Sequence, residues 1–243
     1  MKRVSISVCM ASYNGAKYIE KQIDSILSQL ILGDELIIVD DNSIDNTVSL
    51  IKNYNNDFIK LVENERNIGH VKTFEKALAL AKNKYLCLAD QDDVWIEGRL
   101  EKLEKKIRKE KVFFVASNFK PKFENNSNYR EFIRLKTKSS SKYIVNILRI
   151  FQGKSAYYGC TMMIDKKLLS FILPFPGYVE AHDLWIAMNA NILKSVYHLE
   201  DNTLLYTVHQ NNVSLQKRSF IKKIKARFYF WQAIIDILKR INS

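Results

Sequence analysis

Acidic side chains are concentrated in two short segments of this 243-residue sequence, and each directly follows an apolar run. The segments are Val39-Asp40-Asp41-Asn42-Ser43 and Ala89-Asp90-Gln91-Asp92-Asp93. The clustered carboxylates of the second segment repel one another strongly unless a cation lies among them. Carboxylate oxygens suit Mg²⁺ and Mn²⁺, which keep coordination positions open for substrate phosphates. This segment favours a metal site, although an acidic start to the following helix explains it equally well on residue types alone.

The elements that position these segments can be predicted from the first 116 residues, where short apolar runs alternate with helical patterns. That alternation is typical of βαβ units and a mostly parallel sheet. The carboxyl ends of parallel strands face one crevice, so both acidic segments and the turn Ser12-Tyr13-Asn14-Gly15 should meet there. We predict strands at 4–10, 35–39, 59–63, 84–89 and 112–116, and helices at 16–29, 45–54, 70–82 and 96–109.

The second half of the chain is less regular. Residues 120–142 are basic and rich in Ser and Asn, which predicts a mobile excursion from the core that could serve as a lid. An apolar run follows at 157–164, then a helix at 181–193 and two strands at 196–200 and 203–208. The three cysteines lie in apolar runs, and their number and spacing indicate neither a disulfide set nor a zinc site.

The formal charge of +12 is partly concentrated near the C-terminus. Between Lys217 and Arg240, apolar residues recur every three or four positions, and basic residues fall elsewhere on the helical wheel, namely Lys222, Lys223, Lys225 and Arg227. This predicts a basic amphipathic helix that either packs on the domain or lies on an anionic membrane surface through 217–240. The predicted organisation is a catalytic domain at 1–214, with halves at 1–116 and 117–214, and a helical tail at 215–243.

Together, these motifs resemble family 2 glycosyltransferases, and the Asp-Gln-Asp-Asp-Val-Trp form resembles the subgroup of rhamnosyltransferases and surface-polysaccharide enzymes. The resemblance implies the type A glycosyltransferase fold, an α/β Rossmann-like domain with a mostly parallel sheet flanked by helices. It spans residues 4 to about 214, in the order that the family has. The residues that carry it are Ser12-Tyr13-Asn14-Gly15, Val39-Asp40-Asp41-Asn42-Ser43, Arg66-Asn67-Ile68-Gly69, Asp90-Gln91-Asp92-Asp93-Val94-Trp95, His182-Asp183, His209 and Asn211-Asn212.

The resemblance implies a nucleoside-diphosphate sugar as donor, with UDP or dTDP favoured over GDP. Asp40 falls where the family reads the nucleobase, and Tyr13 would stack on that base. Asp90 and Asp92 form the Asp-X-Asp element, with Asp92 the expected ligand to Mn²⁺ or Mg²⁺ and His209 as a further metal ligand. The remaining nucleotide-sugar residues are expected to be Ser12, Asn14, Asp41, Asn67, Gly69 and Gln91.

The same resemblance makes Asp183 the catalytic base of an inverting transfer. A single displacement at the anomeric carbon needs a base within hydrogen-bond reach of the acceptor hydroxyl. The expected acceptor is a glycan, lipid-linked in the leading hypothesis, for a cell-surface polysaccharide. Residues expected on the acceptor side are Trp95, Gly159, Cys160, Thr161 and His182.

Two other function classes share some of these features. The basic, aromatic-rich surface suggests a nucleic-acid-binding protein, but acidic clusters at strand ends would repel a phosphate backbone, so no nucleic-acid partner is expected. A nucleotidyltransferase would share the fold and the metal, but the first strand lacks a Gly-rich phosphate loop with Arg and Lys. The sequence shows no credible signal peptide and no apolar stretch long enough to span a bilayer, which predicts a cytoplasmic enzyme, with peripheral attachment to the inner face of the plasma membrane left open.

Overall fold

The structure is a computed structural model that describes residues 3–124, 131–209 and 220–242, with side chains in the last range from residue 224. Its strands are β1 (Ile6–Ser12), β2 (Glu35–Asp40), β3 (Ile59–Glu63), β4 (Tyr85–Asp90), β5 (Val94–Trp95), β6 (Phe114–Phe123), β7 (Met162–Asp165) and β8 (Val196–Val208). Its α-helices are α1 (Ile19–Leu27), α2 (Thr47–Asn53), α3 (His70–Leu80), α4 (Arg99–Glu110), α5 (Tyr143–Phe151), α6 (Leu169–Ile172), α7 (His182–Ile192) and α8 (Phe220–Asn242). Short 3₁₀ turns lie at Thr137–Ser139, Gly159–Thr161 and Lys166–Leu168.

All eight strands join one sheet in the order β3-β2-β1-β4-β7-β6-β8-β5. The first four strands in this order are parallel to one another, as the βαβ alternation predicts. β7 runs antiparallel to both β4 and β6, β6 pairs parallel with β8, and β5 closes the edge antiparallel to β8. The α/β fold with a largely parallel sheet is therefore as predicted, with β7 reversed in the middle and the two-residue β5 reversed at the edge.

Strands β1, β2 and β4 are buried on both faces, so each side of the sheet carries its own core. Successive side chains of a strand point to opposite faces. In β1, Cys9 packs in the core that includes residues of α3, α5, α7 and α8, whereas Val8 and Met10 pack in the core that includes residues of α1 and α4. This is why the parallel strands read as continuous apolar runs instead of an alternating pattern.

The region from 114 to 208 differs most from the prediction. Strand β6 extends to Phe123, where it pairs with Val208, so residues 120–123 of the predicted excursion belong to the sheet, and the predicted boundary at 116 falls inside β6. Helix α5 was not predicted. The two strands predicted at 196–200 and 203–208 are one strand, β8, whose pairing with β6 shifts register around Asn118.

Helix α8 packs on the domain through one face, on which Phe230, Ala233 and Ile237 are buried. Of the two roles predicted for this helix, membrane contact is wrong for Phe230, because this residue is buried and its ring lies 5.0 Å from that of Phe151. Among the helices in the described parts of the chain, none combines the length and the apolar character that crossing a bilayer requires.

A buried polar network joins β8 to α5 and α7. The His198 ring pairs with the Tyr157 hydroxyl through Nε2 at 2.8 Å and with Ser139 Oγ through Nδ1 at 3.1 Å. Asn191 donates to the same Tyr157 hydroxyl, and Asn146 donates to Asn191. Burial lowers the pKa of His198 to about 4, so the network holds a neutral imidazole at physiological pH.

This network predicts a loss of stability in acid. Unfolded His198 takes up a proton near its ordinary pKa of about 6.5, whereas the folded protein resists protonation down to about pH 4. The free energy of unfolding of the wild type should therefore fall by up to about 3 kcal/mol relative to His198→Gln as the pH is lowered through this window. Urea denaturation at several pH values measures the difference, and parallel pH profiles would contradict the prediction.

Candidate active site

The strands β1, β2 and β4 end at the same level, which brings the predicted motifs together. Ser12 is paired with Asp40, and Ala11 with Asp90, across the neighbouring strands. The crevice at these carboxyl ends is thus bordered by the turn after β1, the turn after β2 and the acidic segment after β4. Parallel sheets place ligands at such an edge because loops from several strands converge there.

Asp40 and Asp41 organise the loops around the crevice. Both Asp40 oxygens accept hydrogen bonds, from the Ser12 hydroxyl at 2.8 Å and from the Ser43 amide and hydroxyl at 2.7 Å each. Asp41 accepts from the amides of Ile68 and Gly69, both at 2.8 Å. Both carboxylates are buried, so within the described chain they fix the β2 turn and the loop before α3.

The loop before α3 carries the exposed Asn67 to the crevice rim. The Asn67 side chain accepts a 3.2 Å hydrogen bond from the Gly69 amide. Gly69 has a φ of +85°, a backbone conformation that residues other than glycine rarely adopt. Helix α3 begins directly after it. Asp41 and Gly69 together therefore define where this loop turns.

Gln91 clamps the backbone of Tyr13. Its side-chain oxygen accepts from the Tyr13 amide at 2.9 Å, and its side-chain nitrogen donates to the Tyr13 carbonyl at 3.0 Å. The Tyr13 side chain is 44% exposed at the crevice, where an aromatic face is available to a planar ligand. The Gln91 amide is used for positioning Tyr13, a role that the sequence alone did not suggest.

The clamp explains the need for glycine at position 15. A Cβ atom at Gly15 would lie 2.2 Å from Gln91 Oε1, well inside contact distance. Gly15→Ala should therefore displace Gln91 and destabilise the protein by about 1–3 kcal/mol, the usual range for overpacking. Gln91→Ala on the Gly15→Ala background removes the clash, so the double variant should recover part of that loss in urea denaturation. Equal stability of Gly15→Ala and the wild type would refute the steric argument.

Three carboxylates meet at the end of β4, and Asp183 at the start of α7 faces them. Burial, followed by the charges of Asp92 and Asp183, raises the pKa of Asp90 to about 7. Burial, followed by the charges of Asp92 and Asp90, raises the pKa of Asp93 well above its ordinary value. Clustered carboxylates whose pKa values are raised by burial and by one another are typical of functional sites.

His209, at the end of β8, pairs with this acidic group. Its Nε2 lies 2.7 Å from Asp92 Oδ2. The His209 ring stacks on Tyr18 at 5.1 Å, and the Tyr18 hydroxyl donates to Glu124 at the end of β6. Tyr18 was not identified from the sequence, because nothing in the α1 pattern separates it from an ordinary surface residue. Asn211 and Asn212 lie outside the described residues.

The carboxylate oxygens at this centre fit a hard divalent cation, whereas the Cys160 sulfur beside them is a soft donor that does not. Carboxylate oxygens of Asp90 and Asp93 and the Cys160 sulfur lie within 4.8 Å of one another. Asp93 Oδ1 accepts from the Thr207 amide, whereas its buried Oδ2 has no hydrogen-bond partner among the described residues. A buried carboxylate oxygen without a donor gains most from a cation. Asp93 was not among the predicted metal residues, although it is the innermost of the three carboxylates.

The predicted acceptor-side residues form the floor of the site. Gly159, Cys160 and Thr161 make a buried 3₁₀ turn directly before β7. Trp95 does not reach the crevice surface: it is 4% exposed and packs beneath the guanidinium of Arg99 at 4.8 Å. Its direct contact with an acceptor stays a prediction that this burial does not favour.

Arg99 is a supporting residue that sequence reasoning missed. It is fully buried, donates to the Cys160 carbonyl at 2.5 Å and also hydrogen-bonds Thr203. It therefore ties the 3₁₀ turn beneath the acidic centre to β8. Its place at the start of a Lys- and Glu-rich helix gave no sign of burial.

His182 lies behind Asp183, on the interior side. Its ring stacks on Phe74 at 4.1 Å and meets His70 edge-on at 5.9 Å. Burial lowers the pKa of His182 to about 3, so the ring is neutral. A Cβ atom at Gly159 would come within 2.7 Å of its Nε2. The absent side chain at Gly159 thus leaves room for His182, which packs the start of α7 against the floor.

Comparison with known proteins supports this description. The family described as "Glycosyl transferase family 2" matches residues 7–173. The chain is 28% identical to UDP-Glc:alpha-D-GlcNAc-diphosphoundecaprenol beta-1,3-glucosyltransferase WfgD of Escherichia coli, over 93% of this chain and 90% of the relative. It is 24% identical to dTDP-rhamnosyl transferase RfbG of Shigella flexneri, over 89% of this chain and 77% of that relative.

Solved structures show the same fold. The crystal structure of S. aureus TarS 1-349 in complex with UDP matches with a TM-score of 0.66 at 22% identity, covering 93% of this chain and 70% of that one. The complex with UDP-GlcNAc gives 0.68 at 19% identity, covering 97% and 72%. These likenesses confirm the predicted type A glycosyltransferase architecture.

Proposed function

Because this chain belongs to glycosyl transferase family 2, we propose that it is an inverting enzyme that moves one sugar from a UDP- or dTDP-sugar to a hydroxyl group of a lipid-linked glycan. The product would enter a cell-surface polysaccharide. The observation that carries the proposal is the convergence of the predicted motifs at the carboxyl ends of β1, β2 and β4, where the charge of Asp183 also acts on Asp90. An inverting transfer needs this pair of features, a base and a diphosphate-binding centre, beside one another.

The donor nucleotide would lie along the turns after β1 and β2. Tyr13 offers an exposed ring for stacking, and Gln91 fixes the backbone that carries it. Asn67 offers polar side-chain atoms at the opposite rim. Asp40 and Asp41 act mainly by holding these loops, since their carboxylates are enclosed. Their contribution to nucleotide selection is therefore indirect in this proposal.

The diphosphate would lie over the acidic centre. Asp90 and Asp92 would hold Mn²⁺ or Mg²⁺ in this proposal, with His209 beside Asp92 and Asp93 beneath them. A bound cation would supply Lewis-acid stabilisation of the charge on the nucleoside diphosphate leaving group. The residues of the chain supply the oxygen ligands, and Arg99 keeps the floor under them in place.

Asp183 acts as the base. It takes the proton from the acceptor hydroxyl as that oxygen attacks the anomeric carbon, while the bond from this carbon to the diphosphate oxygen breaks. Attack from the face opposite to the leaving group inverts the configuration in one step. Asp183 lies in the first turn of α7, where the helix dipole stabilises its negative charge.

The name of one relative supports the proposed lipid-linked acceptor. The name of WfgD states a diphosphoundecaprenol-linked acceptor and UDP-Glc as donor, and that of RfbG states a dTDP-linked donor. The two relatives share the class of reaction and differ in the nucleotide, so UDP and dTDP remain the two donors to test.

Calorimetric titration tests the donor assignment. Purified protein is titrated with UDP, dTDP and GDP, with and without Mn²⁺, alongside Asp92→Ala. We expect Mn²⁺-dependent binding of UDP or dTDP that is lost in Asp92→Ala. Absence of nucleotide binding in folded protein, together with salt-sensitive retention on DNA, would instead favour the nucleic-acid alternative.

A further inference from the structure

Helix α8 is apolar on two opposite faces, and only one of them is covered. The outer face carries Ile224, Phe228, Trp231, Ile235 and Leu238, spaced at i, i+4, i+7, i+11 and i+14. All five side chains are exposed, Phe228 to 67% and Trp231 to 59%. The opposite face holds the buried residues Phe230, Ala233 and Ile237. The inner face thus attaches the helix to the domain, and the outer stripe faces away from it.

Helix α5 continues this apolar surface. Ile144, Leu148 and Phe151 fall on one helix face at i, i+4 and i+7, and Val145 lies beside them. Ile144 is 75% exposed, and Val145 and Leu148 are also exposed. The Phe151 ring lies 6.2 Å from the ring of Trp231 in the α8 stripe. The two helices therefore present a joined apolar surface, which we call the α5–α8 surface.

The border of the α5–α8 surface is strongly basic. On the helical wheel of α8, Lys225 and Lys239 lie on one side of the stripe and Arg227 on the other, and Arg149 is exposed on α5. Within 131–156 and 224–242 the sequence has Glu131 and Asp236 as its acidic residues, against ten Lys and Arg residues. Asp236 accepts a hydrogen bond from Tyr178. The net charge beside the apolar stripe is therefore positive.

We propose that the α5–α8 surface docks on a bilayer that contains anionic phospholipids. Exposed aromatic and aliphatic side chains flanked by Lys and Arg are the composition of an interfacial helix, whose apolar face enters the headgroup boundary. Basic residues near an anionic leaflet add electrostatic attraction to this apolar contact. Pairing the surface with a second copy of the chain would bring two basic borders together, so charge complementarity favours an anionic partner.

The α5–α8 surface is formed by two helices that contact the helix carrying the proposed base, Asp183. Helices α5 and α8 both pack on α7, the helix whose first turn carries Asp183. Docking through α5 and α8 would hold the acceptor side of the crevice near a membrane. This step rests on the proposed lipid-linked acceptor, whereas bilayer binding itself does not.

Vesicle flotation tests the proposal with the full chain. Vesicles of phosphatidylcholine alone are compared with vesicles that also contain phosphatidylglycerol, at low salt and in 1 M NaCl, where the Debye length is about 3 Å. We expect binding to the anionic vesicles that is lost in high salt. Phe228→Ser with Trp231→Ser, and separately Ile144→Asn with Leu148→Asn, should each reduce the bound fraction at least about tenfold. Leu32→Ser, an exposed leucine elsewhere, should bind like the wild type.

Substitutions at exposed positions are preferable to removing α8, because removal would uncover the core around Ile237. Circular dichroism and nucleotide titration on each variant establish that the fold and the donor site are intact, so a loss of vesicle binding is distinguishable from failure of the proposed function. No binding of the wild type to anionic vesicles, or unchanged binding of both double variants, would overturn the proposal. So would a wild-type dimer that the double variants dissociate without any vesicle binding.

Discussion

Asp183→Asn should lower the turnover number by about 10²–10⁴-fold, the usual contribution of a positioned general base. The amide keeps the size of the side chain but cannot accept the proton of the acceptor hydroxyl. Affinity for the donor nucleotide should stay within about twofold of the wild type, because Asp183 acts on the acceptor in the proposed reaction. Radiolabelled sugar transfer measures turnover, and calorimetry measures nucleotide binding.

The matched control is Asp201→Asn, which removes an exposed carboxylate of β8 that is paired with Lys102 of α4. It should leave turnover unchanged. An Asp183→Asn enzyme with normal turnover would exclude Asp183 as the base. Loss of both turnover and nucleotide binding would mean instead that Asp183 holds the donor site together.

Asp92→Asn should abolish the effect of Mn²⁺ on nucleotide binding. In the proposed site Asp92 is a direct oxygen ligand, and the amide offers a weaker, uncharged one. We expect UDP or dTDP affinity in Mn²⁺ to fall at least about tenfold, which corresponds to about 1.4 kcal/mol. Affinity in EDTA, where no divalent cation is available, should not fall in the variant, because the substitution removes a carboxylate that repels the diphosphate.

His209→Gln provides a graded comparison for this experiment. His209 contacts Asp92 through Nε2, so its loss should weaken Mn²⁺-dependent binding less than the loss of the carboxylate. If nucleotide binding is insensitive to EDTA in the wild type, or if Asp92→Asn retains the full effect of Mn²⁺, the metal assignment is wrong.

The N-terminal part of the fold was predictable because its signals are local. Apolar runs bounded by turns predict β1 to β4, and the amphipathic pattern predicts α4. Residues 143–151 carry an equally apolar pattern, but they follow a basic, Ser-rich stretch. No helix was therefore predicted for these residues. β8 appeared as two strands because Glu200, Asp201 and Asn202 interrupt its apolar pattern at the irregularity in its pairing with β6.

The sequence predicted which residues belong to the candidate site better than it predicted the contacts between them. Because β1, β2 and β4 end together, the motifs that the sequence suggested do meet at one crevice. The enclosure of Asp40 and the Tyr13–Gln91 clamp depend on pairs that are 28 and 78 residues apart in sequence. Buried Arg99 depends on Cys160 and Thr203, which only the folded sheet brings near it. Long-range partners of this kind leave no periodic trace in the sequence.

The three buried cysteines can report on local fluctuations that expose the interior of the protein. Burial raises the pKa of the Cys9, Cys87 and Cys160 thiols, and all three are free. Since the thiolate is the reactive form, an alkylating reagent should reach them only through fluctuations that expose them. Cys160 lies beside Asp90 and Asp93, whereas Cys9 lies in the core under α3. Mn²⁺ should therefore slow the alkylation of Cys160 more than that of Cys9, and mass spectrometry of the labelled peptides would reveal how often the floor of the site opens.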